Sequence, residues 1–352
     1  MPHRQQYVEP ETTVLDGPST PEPTEASRPR RRRWRKIGLI SLLVVTLLGG
    51  GTAIAGGLYL RSVESDIDRV DAFSGVPEAD RPQAVAKGAL NIMILGSDSR
   101  DPENTTGSRT DTIILAHLPK DRSSAQLISI PRDTWVHVPR SKDGNHGGRD
   151  AKINAAFAWG GVPLMVQTVE KFTGVRIDHV MMIDFAGFKE IIDALGGIDV
   201  NSEKTFTSIH PPFRTFQQGM QRMDGETALD YSRQRKQFPD GDFARIRHQQ
   251  QVIKAILDQA VSGGIVTNPA RLNSFVKATS SAVSVDEGMS LLGMATDLRG
   301  LRGNNLVFLT TPTKGTGRVG SESVVFADAE GTRSFYEAVR HDTVQEIIKG
   351  GK

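Results

Sequence analysis

The sequence predicts an α/β protein: a layered α/β/α domain with a central mixed sheet, preceded by a single transmembrane helix. Three observations carry that expectation. A basic block is followed by 24 residues, 37–60, without one charged side chain. Beyond residue 88, short apolar runs bounded by turn residues recur in the manner of buried strands. Helical patterns lie between and after the later runs, and such alternation covers a sheet with helices.

Composition narrows the function classes. The chain has 352 residues, a formal net charge of +2 and no cysteine, which excludes disulfides, thiol catalysis and thiolate metal sites. The charge is unevenly placed: residues 1–36 hold eight basic and five acidic side chains, so the rest is slightly acidic. A globally basic nucleic-acid binder is therefore not expected.

Taken in order, residues 1–27 are rich in Pro, Glu, Thr and Ser, a composition that cannot bury enough apolar surface to fold. With the basic stretch 28–36 they form a disordered cytoplasmic tail. Residues 37–60 are long enough to cross a ~30 Å hydrocarbon core as a helix. Trp34 and Tyr59 then sit near the two interfaces. The basic block stays inside under the positive-inside rule, which places everything after Arg61 outside the cell. A cleaved signal peptide is the competing reading, since Ala53-Ile-Ala55 resembles a cleavage site. The long leader and an apolar run that continues to Leu60 weigh against it, and either reading exports the domain. Residues 61–88, punctuated by Pro77, Pro82 and Gly88, read as a stalk, and 89–352 as the extracytoplasmic domain with C-terminal helices.

Within that domain the apolar runs 91–96, 112–117 and 126–130 predict strands. A helix over 152–172 is bent near Gly160-Gly161-Val-Pro163, residues 175–183 are extended, and 185–195 is helical up to Gly196-Gly197. Asp242 suits the N-cap of a helix running to residue 262, and Asn268-Pro-Ala-Arg opens another. A last strand fits 305–310, and 327–348 resembles a closing amphipathic helix.

The polar residues point to an anion. Arg233, Arg235, Arg245 and Arg247 crowd into residues 231–251, and the planar guanidinium fork suits phosphate oxygens. Arg245 and Gln249 are four apart, on one helical face. Asp98 follows the first strand in Gly96-Ser-Asp-Ser-Arg100, and Asp111 precedes the second in Arg109-Thr-Asp111. Two carboxylates converging at one sheet edge suit a hard cation such as magnesium, or manganese in its place; they also read as turn caps. Arg132 ends the third run in Pro131-Arg-Asp133. Lys152 and Asn154 begin a helix, where backbone donors favour anions, although a solvated lysine is the simpler reading.

In this order and spacing the motifs resemble the LytR-CpsA-Psr family. The set is Gly96-Ser-Asp-Ser-Arg100, Arg109-Thr-Asp-Thr112, Ser129-Ile-Pro-Arg-Asp133, Lys152-Ile-Asn154, Asp224 through Arg235, and Asp242 through Gln249. The resemblance implies a phosphotransferase that moves a glycopolymer phosphate from a polyprenyl-pyrophosphate carrier to a peptidoglycan hydroxyl. It implies that Asp98 and Asp111 hold the metal. It further implies that Arg109, Arg132, Arg233, Arg235, Arg245 and Gln249 bind pyrophosphate with help from Lys152, Arg109 and Arg132 also counting as catalytic. Such transfer needs charge neutralisation more than a covalent nucleophile. Asp242 is the candidate base, with a plain helix cap as the alternative. The carrier's tail requires an apolar lining from runs such as 162–166 and 180–183, which read more simply as core. A pyrophosphate hydrolase and a non-catalytic membrane-bound regulator or lipid sensor remain open, and no motif identifies the glycan.

Overall fold

The computed structural model describes residues 67–98, 110–262, 268–290, 293, 294, 297, 301 and 305–350. The expected tail 1–36, span 37–60 and start of the stalk, with Arg100 and Arg109, lie outside the described residues. No helix among the described residues is long and apolar enough to cross a membrane.

The described chain enters through β1 (Asp68–Val70) and continues with β2 (Leu90–Ser97), β3 (Thr110–Leu118) and β4 (Ala125–Ser129). A hairpin follows, β5 (Trp135–Val138) and β6 (Arg149–Lys152), then α1 (Ala155–Thr173), β7 (His179–Asp184) and α2 (Phe185–Ala194). Two small antiparallel pairs are nested next: β8 (Ile198–Ser202) with β11 (Gly219–Met223), enclosing β9 (Phe206–Thr207) with β10 (Thr215–Phe216). The remainder is α3 (Gly225–Ser232), α4 (Asp242–Ser262), α5 (Pro269–Ala282), β12 (Val283–Asp286), β13 (Leu306–Thr310), the hairpin β14 (Thr313–Val319) and β15 (Glu322–Ala327), α6 (Ala329–Arg340) and α7 (Val344–Gly350).

Seven strands form one mixed sheet in the order β1-β12-β7-β2-β3-β4-β13. Because side chains alternate along a strand, each buried strand feeds two cores. Met93, Leu95, Ile113, Leu115 and Ile128 pack with α1 and α6, including Phe157, Val166 and Tyr336. Ile92, Ile114, Ala116 and Leu127 pack on the opposite face with Ile191 of α2, Ile253 of α4 and Phe275 of α5. Helices thus cover both faces, as the alternating pattern predicts. Leu115 is fully buried, and its truncation to Ala should cost roughly 2–5 kcal/mol.

Strand direction decides where the polar residues meet. β2 is parallel to β7 and antiparallel to β3, β4 is antiparallel to β3, and β13 is parallel to β4. The C-terminal ends of β2, β4 and β7 therefore share one end of the sheet with the N-terminal end of β3. Close backbone approach fixes the helices at that end. A Cβ on Gly187 of α2 would meet the Ala282 carbonyl oxygen at 2.5 Å, and one on Gly225 of α3 the Lys189 carbonyl oxygen at 2.4 Å.

Several expectations are refined. The first three strands stand where the apolar runs place them, and Asn268 caps α5 through the N–H groups of Ala270 and Arg271. The bend in α1 occurs at Gly160 and Gly161, the latter at φ 61°. Residues 175–183 form a strand only from His179 onward. The single closing helix is two, α6 and α7, parted where Asp342 adopts φ 59° and its carboxylate accepts the Lys120 N–H at 3.0 Å. The strand 306–310 is not the last: the glycine-rich β14 and β15 follow it.

Candidate functional site

At the shared sheet end lies a chamber of about 340 Å³. One part of its wall is apolar: Ile94, Ile183, Phe185, Phe188, Leu229 and Ile253 come from β2, β7, α2, α3 and α4. The other part is ionic and amide: Asp111, Arg132, Arg233, Arg235, Arg245 and Gln249 all line it. Six of the expected site residues, from four separated segments, are thereby brought together.

The backbone explains why each faces the chamber. The β2–β3 register shifts between Gly96 and Ser97, which pair with Thr112 and Thr110, so Asp111 is the extra residue of a bulge. Bulges re-aim side chains, and this one sets Asp111 against Arg132, whose Nη1 donates to Oδ1. Arg132 follows β4, where its carbonyl accepts the Asn154 N–H at 3.2 Å. Arg233 and Arg235 flank Gln234, which is fully buried and donates to the Asp230 carboxylate at 2.6 Å. With the residue between them locked inward, the two arginines face the chamber, and the Arg233 guanidinium rests 5.1 Å from the Phe185 ring centroid. α4 is anchored by His248, which lies 4.5 Å from the Tyr231 ring and 4.7 Å from the Phe238 ring. Gln250 ties the same helix to the sheet end, donating to Ser129 Oγ at 3.1 Å and to the Leu309 carbonyl at 3.2 Å.

Asp242 is not a helix cap. The Gly241 carbonyl accepts the Arg245 N–H, so Gly241 holds the cap position and Asp242 is the first helical residue. Neither carboxylate oxygen of Asp242 takes a hydrogen bond among the described residues. Instead Oδ1 lies 2.5 Å from Arg245 Nη2 and 3.8 Å from Arg235 Nη1, in ion contact without the alignment of a hydrogen bond. Asp242 and Arg245 are almost fully buried, whereas Arg235 is partly exposed. Burial raises the Asp242 carboxyl above the usual carboxylate range, outweighing Arg245, and the Asp133 charge adds to it. Burial likewise lowers Arg245 despite Asp242, with Arg132 acting in the same direction. Around Arg132 the balance is opposite: burial works against its charge, but Asp111, Asp133 and Asp242 together raise its pKa.

Three expected residues lie elsewhere. Lys152 is not at a helix start but in β6, paired in register with Trp135, and its Nζ is 3.7 Å from Asp133 and 3.6 Å from Glu322. It lines a neighbouring cleft of about 820 Å³ that shares Arg132 and Arg235 with the chamber. Asp98 is exposed immediately after β2 and is not on the chamber wall. Arg247 turns to Asp240 and, at 3.2 Å, to Glu203, because two residues along a helix from Arg245 is the opposite face. Arg109 lies outside the described residues. The runs expected to hold lipid are mostly core: Val162, Leu164, Met165 and Val166 pack beneath the other sheet face, and only Ile183 of 180–183 reaches the chamber. Phe185 and Phe188, three apart on α2, supply that wall; their helical spacing was visible, their direction was not.

A sequence model of the LytR_cpsA_psr family matches residues 62–340. The chain belongs to this family. Among LytR_cpsA_psr relatives, the cell wall biosynthesis protein LcpA of Corynebacterium glutamicum is 30% identical over 341 residues, covering 86% of this chain. This chain spans only 64% of LcpA's length. The polyisoprenyl-teichoic acid–peptidoglycan teichoic acid transferase TagU of Enterococcus faecalis is 37% identical over 234 residues, 66% of this chain and 72% of TagU. The crystal structure of B. subtilis TagV matches with a TM-score of 0.62 at 28% identity, covering 74% of this chain and 98% of TagV.

Proposed function

We propose that the protein is a membrane-anchored phosphotransferase that moves a glycopolymer phosphate from a polyprenyl-pyrophosphate carrier to a peptidoglycan hydroxyl. One observation supports this reading: four arginines and a glutamine converge on one part of a chamber wall whose other part is apolar. A sugar phosphate would leave the apolar part unfilled, and a plain lipid would leave the arginines unpaired. A lipid-linked pyrophosphate uses both. Membership of the family, and the transferase named among the relatives, support the same direction.

In this reading Arg132, Arg233, Arg235 and Arg245 neutralise the transferred and leaving phosphates, with Gln249 donating alongside and Arg109 expected to join them. Guanidinium groups held in place before substrate arrives cost little reorganisation as charge develops. Asp242, which accepts no hydrogen bond among the described residues and lies beside Arg235 and Arg245, takes the proton of the acceptor hydroxyl. Lys152, from the adjoining cleft, assists from outside the chamber.

Magnesium or manganese is expected at Asp98 and Asp111. No group of three or more acidic or histidine side chains among the described residues could cage a metal. Two carboxylates at neighbouring strand ends do suit a hard ion that shares its shell with water and phosphate. Such an ion would supply further charge neutralisation at the phosphates.

The test is incubation of the full-length protein with a polyprenyl-pyrophosphate glycan, magnesium and peptidoglycan. A glycan–wall conjugate with release of polyprenyl phosphate is expected. Release of glycan phosphate to water without conjugate would make the protein a hydrolase, and an unchanged carrier would leave it without catalysis.

A further inference from the structure

We propose that the loop 209–213, on the rim of the chamber, is a membrane-contact loop that seats the chamber's opening on an anionic lipid surface. It rests on the span proposed for residues 37–60, and it does not depend on the transfer reaction.

The loop displays apolar side chains rather than burying them. Ile209 is 38% exposed and Phe213 59%, with Pro211 and Pro212 exposed between them. Other exposed apolar side chains, such as Val85, Leu272, Phe326 and Ile347, stand singly on separate elements, which is ordinary for a soluble surface. Ile209, Pro211, Pro212 and Phe213 instead stand together in one loop, around the half-buried His210, and the loop begins on the chamber wall, where Ile209 and His210 are lining residues.

The display is built. Phe213 sits at φ 60°, a conformation a bulky residue adopts only when its surroundings impose it. Its N–H is held by the His210 carbonyl at 2.7 Å, and the loop is closed by the Ser208 N–H on the Arg214 carbonyl at 2.8 Å. Beneath it, Ser208 Oγ donates to the buried Asp230 carboxylate at 2.7 Å, and the Ile209 N–H donates to Gln234 Oε1 at 3.2 Å. Asp230 and Gln234 belong to the segment that carries Arg233 and Arg235, so loop and arginines form one rigid piece. Arg233 and Lys236 are exposed beside this apolar tip and line the same chamber. Aromatic and proline side chains flanked by cations are the chemistry that enters an anionic headgroup layer.

The sheet register gives independent support. β1 is parallel to β12 with Asp68 opposite Ser284, β12 is antiparallel to β7 with Ser284 opposite Met182, and β7 sets Met182 opposite Leu95 of β2. Leu95 lines the chamber. The chain therefore enters the domain at the chamber end of the sheet. Only residues 61–66 separate Leu60 from the first described residue, a reach of about 20 Å fully extended. A tether of that length leaves the chamber end of the sheet within reach of a bilayer that holds Leu60.

The chain lacks cysteine, so one introduced cysteine is a unique label site. Full-length F213C and I347C, each labelled with an environment-sensitive nitrobenzoxadiazole dye, are reconstituted in phosphatidylcholine–phosphatidylglycerol vesicles. Ile347 is the control: it is 44% exposed on α7, a helix that adjoins the residues just beyond β3's C-terminus, at the far end of the sheet. The label at 213 is expected to shift to the blue and to be quenched several-fold more by doxyl lipids than the label at 347, with the difference shrinking in pure phosphatidylcholine. Equal quenching at both sites, or a water-like spectrum at 213, overturns the proposal. Resistance to carbonate extraction reads the 37–60 span separately, so an unquenched 213 in carbonate-resistant protein counts against the loop alone.

Discussion

The Asp242 carboxylate lies 2.5 Å from the Arg245 guanidinium, yet it accepts no hydrogen bond from that group or from the helix it begins. A buried charge pair without aligned hydrogen bonds is an expensive way to build a helix start. Both carboxylate oxygens are buried and accept no hydrogen bond among the described residues, so their lone pairs lack aligned donors. Asp242→Asn keeps the shape and removes the base, so transfer should fall about 10²–10⁴-fold with carrier binding retained. Because burial raises the Asp242 carboxyl, activity should be lost as pH falls through a midpoint above the usual carboxylate range. Single-turnover rates against pH check both points. A loss under about tenfold would return Asp242 to a structural role.

Arg235 and Arg247 belong to the same sequence cluster but face different surroundings. Arg235→Ala should weaken binding of a short-chain prenyl pyrophosphate by about 10- to 100-fold, the loss of hydrogen bonds to a charged group. Arg247→Ala should change it less than about two-fold, because Arg247 is engaged by Asp240 and Glu203. Isothermal titration of the two variants separates chamber from surface.

The apolar wall makes a chain-length prediction. Ile253 lines the chamber and is only partly buried, so Ile253→Trp should fill space without collapsing the core. Affinity for a long polyprenyl pyrophosphate should fall about tenfold, while that for a short-chain analogue stays within a factor of two or so. An equal loss for both would place the lipid elsewhere.

His248 sets an acid limit on stability. It is fully buried among Phe206, Tyr231 and Phe238, and burial pushes its pKa down to about 4. The unfolded chain then binds this proton more readily than the folded one. Stability should be full above the unfolded value near 6.5 and should decline as pH falls from there towards about 4. The window is worth about 3 kcal/mol in all. Urea midpoints across that range should flatten in His248→Phe.

Much of this was legible in the sequence because its physics is local. Buried strands such as β2 and β3 announce themselves as apolar runs, and Asn268-Pro announces a helix start. The arginine cluster and the strand-end residues Asp111 and Arg132 were visible for the same reason. What failed was direction and pairing. Lys152 read as a helix start because its partner Trp135 stands across an intervening polar stretch, and nothing local marks that pairing. Asp242 has the composition of a cap, but Gly241, at φ 50°, takes the position and the carboxylate pairs with Arg245 instead. Arg247 fell into the cluster by proximity, although helical periodicity turns it away from Arg245. The runs 162–166 and 180–183 read mainly as core and pack so, with Ile183 alone of them at the chamber, but nothing local marks Phe185 and Phe188 as the wall.

The central claim is that one chamber takes both the pyrophosphate and the isoprenoid of a lipid carrier. A crystal structure of the protein with a polyprenyl pyrophosphate tests it most directly. The account predicts phosphate oxygens within hydrogen-bond distance of Arg233, Arg235 and Arg245, with the isoprenoid against Phe185 and Phe188. Pyrophosphate bound instead beside Lys152 and Trp135 in the neighbouring cleft, with the chamber empty, would contradict it.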